Sequence, residues 1–190
     1  MTVGDVAREA YREGLPALSA SAFGGLLAGV ALSGMRAEFE AVAGLLVLVP
    51  ALLATRGNVY GSLGARVATA LHQGLVEPRL RGTDERLRAA VVAALANGIV
   101  ASVFSAVVAW VALVALAQSH ATLLELTLIS FLAALLSGIV LAVVVVVVVF
   151  SGFKRGFNPD TLVGPIVTTA GDVFGVLFLW LSVQVVVGVL

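Results

Sequence analysis

The sequence predicts an all-α, polytopic membrane protein with five transmembrane helices, its N-terminus in the cytoplasm and its C-terminus outside. Three observations lead to this fold class: the composition, five long apolar stretches and the distribution of basic residues. Hydrophobic residues make up 61% of the 190 residues and charged residues 12%, whereas an ordinary soluble domain has about 45–50% and about 25%. A chain with so few polar residues could not cover a soluble surface, so the composition excludes a cytosolic enzyme.

The composition also excludes several kinds of site. The 11 basic and 11 acidic residues cancel, so the chain lacks the excess positive charge that nucleic-acid binding requires. It contains no cysteine, which rules out disulfides, thiolate metal sites and cysteine nucleophiles. Two histidines, His72 and His120, cannot alone build a zinc or copper site. Because the spans also lack HExxH and GxSxG motifs, we expect no enzyme.

Five apolar stretches are long enough to cross a bilayer, which takes about 20 apolar residues. Within lipid each backbone amide must be satisfied inside its own segment, and this favours helix. Residues 15–190 form the predicted transmembrane domain, and residues 1–14 form a short cytoplasmic amphipathic segment before it. The predicted helices cover residues of about 15–34, 41–73, 87–117, 121–150 and 161–190.

The basic residues in the connections predict the orientation. One side of a five-span layout holds the N-terminus and the loops 74–88 and 151–160, whereas the other side holds Arg36 as its one basic residue. By the positive-inside rule the first side is cytoplasmic. The basic residues counted on that side are Arg8, Arg12, Arg79, Arg81, Arg86, Arg88, Lys154 and Arg155.

Asp172 is the ionisable residue that the sequence places deepest in the membrane, about 17 Å into the fifth helix. A charge at the bilayer centre costs at least about 2.5–3.5 kcal/mol, so such a residue predicts a functional site. The alternative is a protonated aspartate that bonds a neighbouring helix. The residues around Asp172 are small or hydroxylated, namely Thr168, Thr169, Gly171 and Gly175. Pro165, earlier in the helix, has no backbone N–H and so leaves one backbone carbonyl without its helical partner.

The second span is interrupted by the run Thr-Arg-Gly-Asn at 55–58. Gly57 and Gly61 permit close backbone approach, and Asn58 offers an amide oxygen as acceptor. Such a helix either packs against a neighbour as a kink or lines a wet cavity. Arg56 is either a counter-charge to an acidic group or a residue that extends its long side chain to the interface, and in both cases we place it off the ion path.

Glu125 lies within a turn or two of the outer end of the fourth span. One interpretation is that Glu125 is simply exposed to extracellular water, which solvates its charge. The alternative is a vestibule carboxylate that attracts cations by its electrostatic field.

Two segments resemble the MgtE and solute carrier family 41 magnesium transporters. Residues 49–58 (VPALLATRGN) and 63–70 (LGARVATA) resemble the second helix of that family. Residues 158–172 (NPDTLVGPIVTTAGD) resemble the start of its fifth helix. The five-span layout agrees as well, so the resemblance covers the whole chain by architecture.

The resemblance implies a homodimer in the cell membrane, with a cation pore on the two-fold axis lined by the second and fifth helices. The family's pore aspartate falls on Asp172, the asparagine of its Gly-Asn motif on Asn58, and the backbone carbonyl one turn before the aspartate on Thr168. Mg²⁺ is implied as the transported substrate rather than as a resident cofactor. A basic residue at Arg56 looks more like the eukaryotic carriers than the bacterial channels.

The resemblance leaves several alternatives open. The regulatory cytoplasmic domains of bacterial members are not expected in this chain, which leaves room for an unknown cytoplasmic regulatory partner. One unit would pair with itself or with a related chain. A proton-coupled divalent cation exchanger and a non-transporting membrane subunit both remain alternatives to a pore, and Mg²⁺ is not separated from Mn²⁺, Co²⁺ or Ca²⁺.

Overall fold

A computed structural model describes residues 3–79, 84–156 and 159–189. All regular structure in these residues is helical, and five of the helices are long and apolar enough to cross a membrane. The predicted all-α class with five spans is confirmed, while the orientation remains a prediction. The helices are α1 (Val3–Ser33), α2 (Arg36–Ala41), α3 (Leu45–His72), α4 (Glu85–Ala115), α5 (Leu123–Lys154) and α6 (Pro159–Val189).

Helix α5 lies at the centre of the bundle and packs against α3, α4 and α6, while α1 packs on the outside of α6. Two apolar clusters hold the bundle together. One contains Leu48 and Leu52 of α3 with Ile129 of α5. The other contains Leu63 of α3 with Leu141 of α5. The clusters therefore occupy opposite halves of the bundle, separated by a thin layer near the middle of the spans.

The middle of α3 differs from the prediction of an interrupted span. The helix runs without a break through residues 55–58, and the hydroxyl of Thr55 donates back to the carbonyl of Ala51 at 2.7 Å. The physical reason is that lipid offers no partner for backbone groups released by a break, so the weak helix formers at 57 and 58 stay helical. The polar residues of this run emerge from the side of a regular helix.

The ends of the second span also differ from the prediction. Its first residues form the separate short helix α2, and α3 begins after Gly44, whose φ of +93° is the left-handed conformation that glycine adopts without strain. At the other end of the chain, α1 extends unbroken from Val3, through Pro16, to Ser33. The N-terminal segment and the first span thus share one helix.

Close helix approaches depend on glycines at defined contacts. Tyr60 of α3 lies against Gly98 of α4 and Gly138 of α5, where a Cβ atom would overlap its hydroxyl or ring. A Cβ at Gly64 of α3 would overlap Val163 of α6, and one at Gly24 of α1 would overlap Thr169 of α6. These contacts fix the positions of α1 and α3 on the two sides of α6.

Candidate functional site

The layer between the two apolar clusters is polar. It holds Arg56 of α3, Ser137 of α5 and Asp172 of α6. Asp172 lies about 20 Å along α6 from Pro159, and Arg56 about 17 Å along α3 from Leu45. Because α3 and α6 run antiparallel, with Leu53 beside Gly175 and Gly64 beside Val163, both residues reach similar depth near the centre of the spans.

Arg56 is buried inside the subunit, with 3% of its surface exposed. Its Nε donates to the hydroxyl of Ser137 at 2.8 Å, and that hydroxyl donates onward to the carbonyl of Ala133. Among the described residues, neither Nη1 nor Nη2 has a hydrogen-bond partner. The interpretation of Arg56 as a residue extended to the interface is therefore wrong, because its stem lies in the core and its Nε is held by Ser137 of α5.

One glycine of α6 makes room for this arginine. A Cβ at Gly175 would lie 3.3 Å from both Cδ and Nη1 of Arg56, which is tighter than an ordinary contact. A Cβ at Gly171 would lie 3.8 Å from the Cβ of Arg56, an ordinary van der Waals distance. Both glycines are buried, and Gly175 permits close packing between α6 and α3 within one subunit.

Asp172 is half-buried and lies between these glycines in sequence. It interacts electrostatically with Arg56, but no ion pair within 4.0 Å joins the two side chains, whereas Arg79 and Glu77 form such a pair at the surface. The carboxylate and the guanidinium are therefore neighbours across the α3–α6 contact without direct bonding.

Four of the remaining predicted site residues have open space beside them within the subunit, whereas Thr169 packs against α1. Asn58 and Thr168 are exposed, and a Cβ at Gly57 or Gly61 would meet nothing within 4 Å. From its middle to its end, the exposed residues of α3 are small or polar, whereas those in the second half of α4 are large and apolar. On α3 these are Ala54, Asn58, Ser62, Ala65, Arg66 and Thr69, and on α4 they include Val100, Phe104, Val108 and Val111.

The hydroxyls of α6 are already engaged within their own helix. Thr168 donates to the carbonyl of Gly164 and Thr169 to that of Pro165, both at 2.8 Å. The backbone carbonyl of Thr168 belongs to an unbroken helix, so it can offer only its second lone pair to another ligand.

Glu125 lies apart from this layer, at the first turn of α5. Its carboxylate accepts from the backbone amide of Thr122 at 2.8 Å, and the hydroxyl of Thr122 accepts from the amide of Glu125 at 3.2 Å. This capping box gives Glu125 a structural role that neither sequence interpretation considered. The Thr-x-x-Glu spacing was the signal that could have predicted it.

Three polar residues in or near the bundle interior lie outside the set of predicted site residues. Ser137, one of three serines in an apolar helix, carries no sequence signal for its bond to Arg56. Glu38 of α2 is buried and accepts from Trp180 Nε1 at 2.9 Å and from Gln184 Nε2 at 2.7 Å. Asn97 of α4 lines, with Asn58, a groove of about 200 Å³ between α3 and α4. The described residues include no cluster of three or more His, Cys, Asp or Glu side chains.

Comparison with known proteins gives the family. The family model for MgtE, described as "Divalent cation transporter", matches residues 49–182. Solute carrier family 41 member 2 of Xenopus laevis is 31% identical over 150 residues, which cover 76% of this chain and 26% of that protein. Member 2 of Homo sapiens is 30% identical with the same coverage, and member 3 of Rattus norvegicus is 29% identical over 137 residues, 70% of this chain and 29% of that protein.

The matched region contains nearly all of α3, the whole of α4 and α5, and most of α6. It therefore includes every residue of the polar layer. The chain spans about a quarter of the length of the curated relatives that it matches. No solved structure matches it significantly. The family model describes transporters rather than enzymes, and with its five apolar helices this chain is a multi-pass membrane protein that belongs to the MgtE divalent cation transporter family.

Proposed function

We propose that two copies of this chain form a pathway for a divalent cation, Mg²⁺ above all, and that Asp172 of each copy binds the hydrated ion. The observation that carries the proposal is a carboxylate at mid-depth that remains half-exposed on a helix packed beside the open polar face of α3. The printed description of the family, a divalent cation transporter, supports the same activity.

The character of the exposed α3 surface supports a dimer with α3 and α6 at its axis. Asn58, Ser62 and Arg66 emerge from a transmembrane helix, and hydrocarbon would leave their polar atoms without partners. A second copy, or water held between two copies, satisfies these groups. At Gly57 and Gly61 an added Cβ would meet no described atom of the subunit within 4 Å outside its own helix, and these glycines would let the two α3 backbones approach each other.

Ion chemistry favours a hydrated cation at this site. Mg²⁺ takes six oxygen ligands at about 2.0–2.1 Å and loses its water reluctantly. Two Asp172 carboxylates across a two-fold axis match the charge of one divalent ion and can hold it through its waters. The amide of Asn58 and the second lone pair of the Thr168 carbonyl are the further oxygen acceptors that we assign to this water shell. Oxygen ligands of this kind suit hard cations better than soft metals.

The central test is Asp172→Asn, which keeps the volume of the side chain and removes both charges of the dimeric site. Uptake of Mg²⁺ into proteoliposomes should fall at least about tenfold, the size expected for loss of a charged ligand. Asp172→Glu keeps the charge and should retain partial uptake with altered ion preference. Asp84→Asn makes the same chemical change at the N-cap of α4, where Asn caps as well as Asp, and should transport normally.

Assembly and coupling are tested in the same preparations. A single cysteine at Asn58 or at Thr168 should cross-link two copies, both in the otherwise native protein and in the Asp172→Asn variant.

Uptake driven by a membrane potential alone indicates a pore, whereas dependence on an imposed pH gradient indicates the exchanger. Near-normal Mg²⁺ uptake by a correctly assembled Asp172→Asn variant would contradict the proposed role of the carboxylate.

A further inference from the structure

We propose that Arg56 is a tethered counter-cation for Asp172, which competes with the transported divalent ion for that carboxylate and so sets the affinity of the site. The inference rests on the proposed function, since it concerns the same carboxylate. It assigns Arg56 a positioning and affinity-setting role without direct contact with the ion.

The first observation is a buried guanidinium with spare hydrogen-bonding capacity. Arg56 lies at mid-depth, is 3% exposed, and leaves Nη1 and Nη2 without hydrogen-bond partners among the residues that the structure describes. An isolated charge at this depth is strongly unfavourable unless an opposite charge compensates it. Asp172 is the acidic group that interacts with it electrostatically, so the carboxylate supplies that compensation.

The second observation is the geometry that holds the arginine in place. Ser137 of α5 fixes Nε from one side at 2.8 Å. On the other side, the missing side chain of Gly175 admits Cδ and Nη1 against α6. Gly175 follows Asp172 by three residues, so the two lie on neighbouring parts of one helical face. The arginine cannot move out to lipid without leaving both contacts, and its free Nη groups stay beside the helix that carries the carboxylate.

These observations have a consequence for ion binding. While the site is empty, the positive charge of Arg56 opposes that of Asp172 and favours the ionised form of the carboxylate. When a divalent cation enters, the fixed positive charge of Arg56 repels it, and in low dielectric this repulsion acts over several ångströms. Arg56 therefore weakens ion binding and speeds ion release. A transporter benefits from both effects, because a carboxylate pair that bound Mg²⁺ too tightly would be blocked by it.

The test compares the Mg²⁺ dependence of uptake in three Arg56 variants. Arg56→Gln removes the charge and keeps a hydrogen-bonding group, and we expect the KM for Mg²⁺ to fall by about tenfold or more, together with Vmax. Arg56→Met fills the same space without polar atoms and should give the same fall in KM, which keeps the test open if the glutamine variant does not assemble. Arg56→Lys retains the charge and should keep KM within about threefold of the original value.

Ser137→Ala is the control for a purely structural role. It removes the hydrogen bond to Nε and leaves the charge in place, so KM should again stay within about threefold if Arg56 acts through its charge. A Ser137→Ala variant that matched Arg56→Gln would overturn the inference, as would an unchanged KM in both Arg56→Gln and Arg56→Met.

The two proposals fail in different ways. If the original protein transports, Asp172→Asn loses uptake and the Arg56 variants keep the original KM, then the carboxylate site stands and the competition by Arg56 is wrong. If Asp172→Asn transports normally, the proposed site is wrong and the role of Arg56 falls with it.

Discussion

Tyr60 is the largest fully buried side chain in the bundle, and it occupies the point where three helices meet. It is 1% exposed and fits between Gly98 and Gly138. Its hydroxyl has no hydrogen-bond partner among the described residues. An unsatisfied hydroxyl in the interior costs about 1–3 kcal/mol, so Tyr60 contributes to stability through its ring and loses part of that contribution through its oxygen.

We therefore expect Tyr60→Phe to leave the free energy of unfolding unchanged or to raise it by about 1 kcal/mol. Tyr60→Ala should lower it by about 3–5 kcal/mol, because it opens a cavity where three helices meet. Thermal unfolding of the detergent-solubilised protein measures both. A marked loss of stability in Tyr60→Phe would mean that the hydroxyl has a partner, such as a bound water.

At the residue scale, the sequence was informative about depth and uninformative about partners. The prediction that Asp172 lies near mid-depth follows from counting residues along one helix, and in the structure the residue lies near the middle of α6. The bond from Arg56 to Ser137 joins residues that are 81 positions apart, and no local pattern encodes such a contact. The burial of Arg56 could not be predicted from the sequence either. Its two proposed roles, counter-charge and side chain extended to the interface, differ only in the direction that this face of the helix points.

At the scale of the element, α3 has two different faces that each contain glycine. Gly64 lies against Val163 of α6, where a Cβ would overlap the valine side chain, whereas Gly57 has nothing within 4 Å of a Cβ inside the subunit. Both residues lie inside the same helix and have the same intrinsic cost there. Substitutions at Gly64 and Gly57 therefore distinguish the effect of close helix packing on stability from the effect of helix propensity.

Gly64→Ala should lower the stability of the subunit by about 1–3 kcal/mol, because the added methyl overpacks the α3–α6 contact. Gly57→Ala should raise the stability of the subunit by about 0.5–1 kcal/mol, the usual gain in helix propensity. The comparison uses unfolding of both variants under conditions in which the protein is monomeric. Equal losses in the two variants would mean that Gly57 is also covered within one subunit.

Element type and number were predictable because a run of apolar residues in lipid has essentially one conformation. The residues at which the helices begin and end were less predictable. The separate helix α2 depends on the left-handed conformation of Gly44 and on the hydrogen bonds that Glu38 accepts from two residues of α6. These are long-range contacts that hydropathy along the chain does not record.

At the scale of the whole molecule, the orientation rests on the distribution of basic residues, and it is directly testable because the chain has no cysteine. A single cysteine replacing Ser119, in the exposed turn between α4 and α5, should react with an impermeant thiol reagent in intact cells. One replacing Gln73, exposed at the end of α3, should react only after permeabilisation. The opposite pattern would reverse the orientation and exchange the two ends of the ion path.

The separation of the apolar core into two clusters has a mechanical consequence. The helices run through both clusters, but the layer between them contains a buried guanidinium that is held by a hydrogen bond to Ser137 and has two nitrogens without hydrogen-bond partners among the described residues. We expect the bundle to bend more easily at this layer than within either apolar cluster, because a hydrogen bond constrains the helices less than extensive apolar packing does. Any relative tilt of the two halves would then be centred at the depth of Asp172.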